Sequence, residues 1–230
     1  EVSFFDASGN KLANDVPHNK IFETHYDLYL RPDLVYAPHP AFAGKHRQAR
    51  AKDFIYAIKR LASPKVNSPI YSIMVEHIKG FSAYNELLKR DLQDNPALNN
   101  DQVFWDLRAH DISGVQNLGP DHFRIVTSGF YRPFVYWLAM SFFSPMPYEV
   151  DKFYSQANLP DGFGHDWLPV GTGPYMMQEN DPNSRIVLIK NPNFHEEYFP
   201  GSADKADIDA GYTKLSGSRL PMVERFVFSL

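Results

Sequence analysis

The chain contains no cysteine. That excludes disulfides, thiolate metal sites and cysteine nucleophiles, and it fits an oxidising or a reducing compartment equally well. There is no long hydrophobic run either. The longest, Phe134 to Phe143, is interrupted by Ser141 and falls far short of the ~20 apolar residues that span a bilayer. Nor is there an excess of positive charge: 23 Lys and Arg stand against 27 Asp and Glu, a net charge of -4. Nucleic-acid binding needs clustered basic residues on a positive surface, so no nucleic-acid partner is expected. A charged start followed by an apolar stretch and a small-residue cleavage site is also missing, which places any secretion signal upstream or among removed residues. Missing too are a P-loop, a Gly-x-Ser-x-Gly elbow and any His-x-x-x-His pair, so nucleotide hydrolysis, acyl transfer and a histidine metal centre have no motif to stand on.

What is present is a folded chain of 230 residues, 43% hydrophobic, enough to bury a substantial core. Val2–Phe5 followed by Asp6-Ala7-Ser8-Gly9-Asn10 predicts a strand entering a hairpin turn. In Thr24–Arg31, Tyr26, Leu28 and Leu30 alternate with His25, Asp27 and Tyr29, the period-two pattern of a strand with one buried face. Residues 51–62 place Phe54, Ile55, Ile58 and Leu61 on one helical face, with Lys52, Asp53, Lys59 and Arg60 expected outward and Pro64 as the stop. A second helix is expected from Ser68 as N-cap and Pro69 at the first helical position to near Gly80. A third spans about 82–91, followed by a polar loop to 102.

Strands are expected at 112–115 and 123–127 around Gly119-Pro120-Asp121, with a short helix at 133–141 and another at 148–157. Gly162 and Gly164 open a loop that ends in Pro169–Tyr175. Arg185–Lys190, apolar on both faces, predicts a central strand buried from two sides. The terminal Phe226–Leu230 is of strand type and runs straight into the chain end, so both ends read as cut from something longer. Strands and helices are mixed without regular βα alternation, an α+β (mixed α/β) class.

Chemical signals are sparse. The nine histidines, His18, His25, His39, His46, His77, His110, His122, His165 and His195, are scattered, and no metal or cofactor is expected. Gly171-Thr172-Gly173 lacks the third glycine of a dinucleotide loop and leads toward a strand instead of a helix. Glu196-Glu197 reads as solvated charge in a polar loop. The densest feature is the aromatic stretch Phe130, Tyr131, Phe134, Tyr136, Trp137, Phe142 and Phe143. Most of it belongs to the core, but flat rings with polar tips also suit a pocket for variable side chains. Trp137, Phe142 and Phe143, with Tyr71 and Met74 on the second helix, are therefore the candidate ligand-binding residues.

Three stretches, in this order, resemble the peptide/nickel-type extracellular solute-binding proteins of ABC importers, the oligopeptide- and dipeptide-binding family. Ala51–Pro64 is similar to the family's Thr-Ala-Glu-Asp helix. Ser144-Pro145-Met146-Pro147 resembles the stretch before its loop. Pro169-Val170-Gly171-Thr172-Gly173-Pro174-Tyr175 with Arg185–Phe194 matches its Gly-Thr-Gly-Pro-Tyr strand and Asn-Pro-x-Tyr hairpin. Arg50 replaces the helix-opening Thr, and Pro38–Gly44 replaces the usual Asp-Gly. The resemblance implies a type II-like periplasmic binding protein fold. Residues 1–160 would be the small subdomain of the N-terminal lobe and 161–230 strands of the main lobe, with the upstream segment and the C-terminal lobe absent. It further implies a non-enzymatic periplasmic protein that captures oligopeptides or similar solutes for ABC permease subunits. Nickel, haem or another small molecule is the alternative cargo. A surface left by a missing lobe could let the chain self-associate.

Overall fold

The computed structural model describes residues 1–156, 159 and 163–229. Two compact units divide the chain: Glu1–Pro32 with Ala49–Gly162, and Asp33–Gln48 with Phe163–Leu230.

The larger unit is built on an antiparallel sheet of strands β1 (Val2–Phe5), β2 (Glu23–Tyr29), β3 (Val115–Gly119) and β4 (His122–Ser128), in the order β1-β2-β4-β3. The turn after β1 is fixed by Asp6, whose carboxylate accepts the Ser8 and Asn10 N–H groups, and by Gly9 at φ 81°. The returning chain makes one bridge, Phe5 to Lys11, and β1 takes β2 as its strand partner.

Strand alternation then sorts two faces. Tyr26 lies opposite Ile125 and Leu28 opposite Phe123, and these pairs meet helices α1 (Ala51–Leu61), α2 (Tyr71–His77) and α3 (Phe81–Asp94). Ile58, Met74, Phe81, Tyr84 and Leu88 close that core. The short helices α4 (Phe134–Trp137) and α5 (Tyr148–Tyr154) follow, and Phe134 and Phe143 complete the cluster. By area burial each such aliphatic or aromatic side chain contributes about 1.5–3 kcal/mol.

Several expectations need correction. Asp53 and Lys59 do not face outward: they are 1% and 4% exposed. Asp53 turns back to accept the Arg50 N–H at 2.9 Å, half of a capping box, because arginine has no acceptor to supply the other half. The Lys59 ammonium donates to the His110 carbonyl at 2.6 Å and to Asp111 at 2.9 Å. A buried cation is tolerable when its donors are satisfied in this way.

Helix α2 starts at Tyr71, whose N–H is taken by the Ser68 carbonyl; Ser68 provides no side-chain cap. It stops at His77 because Ile78 and Lys79 join the sheet: Ile78 bridges Thr127, and Lys79 pairs through its main chain with Val126 and Gly114. Gly80 at φ 76° makes the corner, where a Cβ would come within 2.2 Å of Ser113 Oγ. The expected 91–102 loop is partly helical, since α3 runs to Asp94 and a 3-10 turn occupies Pro96–Asn99. Ile112 is a core residue ahead of β3. The helix expected at 133–141 is shorter, giving way to a 3-10 turn at Ser141–Phe143. Residue 157 of the expected helix after Pro147, Gly162 of the loop and Leu230 of the last strand lie outside the described residues.

The outer face of the sheet is not simply solvated. Asp27 is 8% exposed, bracketed by Arg124 at 3.1 Å and His122 at 2.8 Å, with Tyr29 stacked on His122. Burial pushes the Asp27 carboxyl up, but hydrogen bonds from His122 and Arg124 and the Arg124 charge hold it below its ordinary value. A depressed carboxyl stabilises the fold above the unfolded value of about 3.9, and that contribution disappears as pH falls through the lower folded value.

In the smaller unit, β5 (Tyr175–Asp181), β6 (Arg185–Lys190) and β7 (Arg225–Ser229) form an antiparallel sheet in that order, and α6 (Lys205–Asp209) lies in the connection before β7. The central position expected for 185–190 is correct. Its burial is not two-sided, because among these residues only Val187 is fully buried.

Two outcomes are expected in urea denaturation. Lys59→Ala lowers stability by about 1–3 kcal/mol, the scale of leaving a buried carbonyl without its donor. Asp27→Asn destabilises by a similar ~1–3 kcal/mol at pH 7, and the gap from the parent narrows as the pH is taken below about 4.

Candidate functional site

Beyond the end of its sheet, the smaller unit is held by asparagine side chains bonded to main-chain groups. Asn191, 4% exposed, donates to the Gly173 carbonyl at 2.8 Å and accepts the Asn193 N–H at 2.9 Å. Its own N–H goes to the Pro174 carbonyl. Asn193 in turn donates to the Tyr36 carbonyl at 2.7 Å. Tyr36 N–H reaches Arg47 and Ala37 N–H reaches Gly171, while Val35 bridges Gln48. The Gly-Thr-Gly-Pro-Tyr and Asn-Pro-Asn segments therefore clamp each other and carry the 33–48 excursion between them. Their function here is architectural: short side-chain amides satisfy main-chain groups where no ladder continues.

That excursion forms a cleft of about 360 Å³ lined by Pro38, His39, Pro40, Gly44, Lys45, His46 and Asn193. His39 is buried. Its Nδ1 accepts the Ala41 N–H at 3.1 Å, and burial first, with nearby His165 adding, holds its imidazole below the ordinary value against a main-chain hydrogen bond at Leu168. Burial thus favours the neutral ring, which braces the wall. Lys45 and His46 are exposed and supply the polar edge. A second cleft, about 310 Å³, is lined by Lys190, Asn191, Pro192, Phe194, Arg219, Leu220 and Pro221.

The five residues singled out from sequence all lie in the larger unit. Met74 and Phe143 are core residues at 0% and 6% exposed. Tyr71 packs against the core with its ring 5.6 Å from Phe81 and tilted to it. Trp137 and Phe142 adjoin one another at 5.8 Å, Phe142 adjoins Phe143 at 5.4 Å, and the Trp137 indole N–H donates to the Tyr131 hydroxyl. The structure thus gathers Trp137, Phe142 and Phe143, while Tyr71 and Met74 lie on α2. None of the five lines the two clefts described. Lys45, His46 and Asn193 escaped sequence reasoning as a group because no spacing links residue 193 to residues 38–46.

Among the described residues no group of three His, Asp or Glu side chains could hold a metal ion, and no helix is long and apolar enough to cross a membrane. Solved structures with similar folds are Burkholderia pseudomallei OppA (23% identity, TM-score 0.50, covering 84% of this chain and 32% of that one) and the Escherichia coli murein tripeptide binding protein MppA (16%, 0.53, 99% and 35%). Listeria monocytogenes OppA bound to peptide is a third (12%, 0.52, 84% and 32%). The chain spans about a third of their length. The fold is that of part of a type II periplasmic binding protein, as the family resemblance implied. Residues 23–228 match the bacterial extracellular solute-binding proteins, family 5 middle region, and the chain belongs to that family. No curated protein matches the sequence.

Asn191→Ala should release the Gly173 carbonyl and the Asn193 N–H together, costing about 1–3 kcal/mol. Hydrogen exchange should show the loss at residues 171–194 and 35–48, with β2 and β4 protected as before.

Proposed function

We propose that this chain contributes to the capture of a peptide or peptide-like solute in the periplasm and its delivery to ABC permease subunits in the membrane. The family match over residues 23–228 carries the reading. It is supported by structural likeness to proteins described as oligopeptide-binding, murein tripeptide-binding and peptide-bound. Catalysis has no part in it: binding holds the solute and closure of lobes around it hides it from water. In this reading residues 1–160 serve as the small subdomain of the N-terminal lobe and residues 161–230 as strands of the main lobe. Of the five candidates, the half-buried Trp137 and Phe142 are the surface offered to solute side chains; Phe143 and Met74 support them from the core, and Tyr71 stands half-buried on α2.

The exposed apolar residues Phe226, Val227 and Phe228 of β7, 38%, 52% and 52% accessible, lie on an edge strand with one partner. Such an edge pairs readily with another chain, so self-association of the isolated chain is expected there.

Native mass spectrometry of the protein purified from its own cells tests both ideas. Expected are co-purified peptide masses on the protein, and dimers when the 230-residue chain is sprayed alone. A protein that carries no peptide, and binds none from a defined mixture, overturns the capture reading. A chain that stays monomeric at micromolar concentration overturns the edge-pairing reading.

A further inference from the structure

We propose that the cleft over residues 38–46 is a carboxylate-binding site, taking either a small organic acid or the C-terminus of a short peptide. At about 360 Å³ it lies within the size range of small-molecule pockets. Its polar side chains are Lys45, His46, His39 and Asn193, without an Asp or Glu, in a chain whose net charge is -4. Within the same unit the segment continues into Arg47, whose guanidinium donates to the Gln48 carbonyl.

The cleft's donors divide into two that are bonded within the protein and two that are not. His39 has Nδ1 occupied by Ala41, and the Asn193 amide N–H₂ is engaged by Tyr36. These two groups fix the wall, and Lys45 and His46 remain to meet a ligand. Neither has a side-chain partner among the described residues, and the main-chain N–H groups of Gly44 and His46 have no protein acceptor there. Gly44 stands at φ 76° with open space where a Cβ would be, so a ligand can approach the backbone closely. An ammonium, an imidazole and two amides suit a carboxylate, whose two oxygens accept about four hydrogen bonds.

The inference does not rest on the solute-capture reading, which is judged on cargo carried from the cell. The test is an NMR titration of the full chain with tri-alanine, tri-alanine C-terminal amide and acetate. Saturable shifts of the Gly44, Lys45 and His46 amides are expected with tri-alanine, with acetate, or with both, and none with the amide. Binding by acetate alone marks the site as one for small acids; binding by tri-alanine alone marks it as one for a peptide end. Lys45→Ala, at an exposed position that leaves the fold intact, should weaken binding about five-fold, the scale of one partly exposed ion pair, and Lys45→Arg should restore it. Equal binding of the amide, no saturation with either carboxylate, or an unchanged affinity in Lys45→Ala overturns the proposal.

Discussion

The larger unit depends on the antiparallel pairing of β2 with β4, strands from opposite ends of that unit's sequence. It sets Tyr26 against Ile125 and Leu28 against Phe123, and those pairs are the floor on which α1, α2 and α3 close the core. A slip of one residue would turn that floor over and bury Asp27, Arg124 and His122 against the helices instead. Register is therefore held from both sides, by apolar packing on one face and by the Asp27 carboxylate with its two cationic or donor neighbours on the other.

Periodicity revealed β2, α1 and α3 because each has one apolar stripe, and stripes survive in sequence; β4 was legible from the turn at Gly119-Pro120-Asp121 and β6 from its continuous apolar run. It misplaced Asp53 and Lys59 because it assumes that charge points to water. Both are drawn inward by partners it cannot see: the main-chain N–H of residue 50, and the carbonyl of residue 110. It overextended α2 at both ends for a related reason. Ser68 and Pro69 form a good helix start in isolation, yet the chain is claimed at the far end by the edge of β4 through Ile78 and Lys79. Tertiary demand outweighed local preference there.

The candidate surfaces were legible to different degrees. Aromatic density pointed to Trp137, Phe142 and Phe143, and they do gather, although Phe143 and Met74 are largely spent on the core. The family-like Gly-Thr-Gly-Pro-Tyr and Asn-Pro-Asn stretches could be recognised as patterns, but their mutual clamp is a matter of side-chain amides reaching main-chain carbonyls across long separations. The cleft over residues 38–46 left no trace in spacing. It arises where Pro38–Gly44 stands in place of a shorter turn, with Asn193 supplied from elsewhere in the sequence.

The smaller unit is discontinuous: residues 33–48 are made early and find their partners, Gly171 and Asn193, only after the whole of 49–162 has been synthesised. During translation that segment must wait without Gly171 and Asn193 while the larger unit folds from its own residues, so the order of assembly follows from the threading of the chain. For the same reason a single cut after the larger unit would not yield two separable pieces. It would leave an orphaned loop on one fragment and an unanchored sheet on the other, which makes the Pro32/Asp33 and Gln48/Ala49 junctions, and not one interdomain linker, the natural points for dissecting this protein.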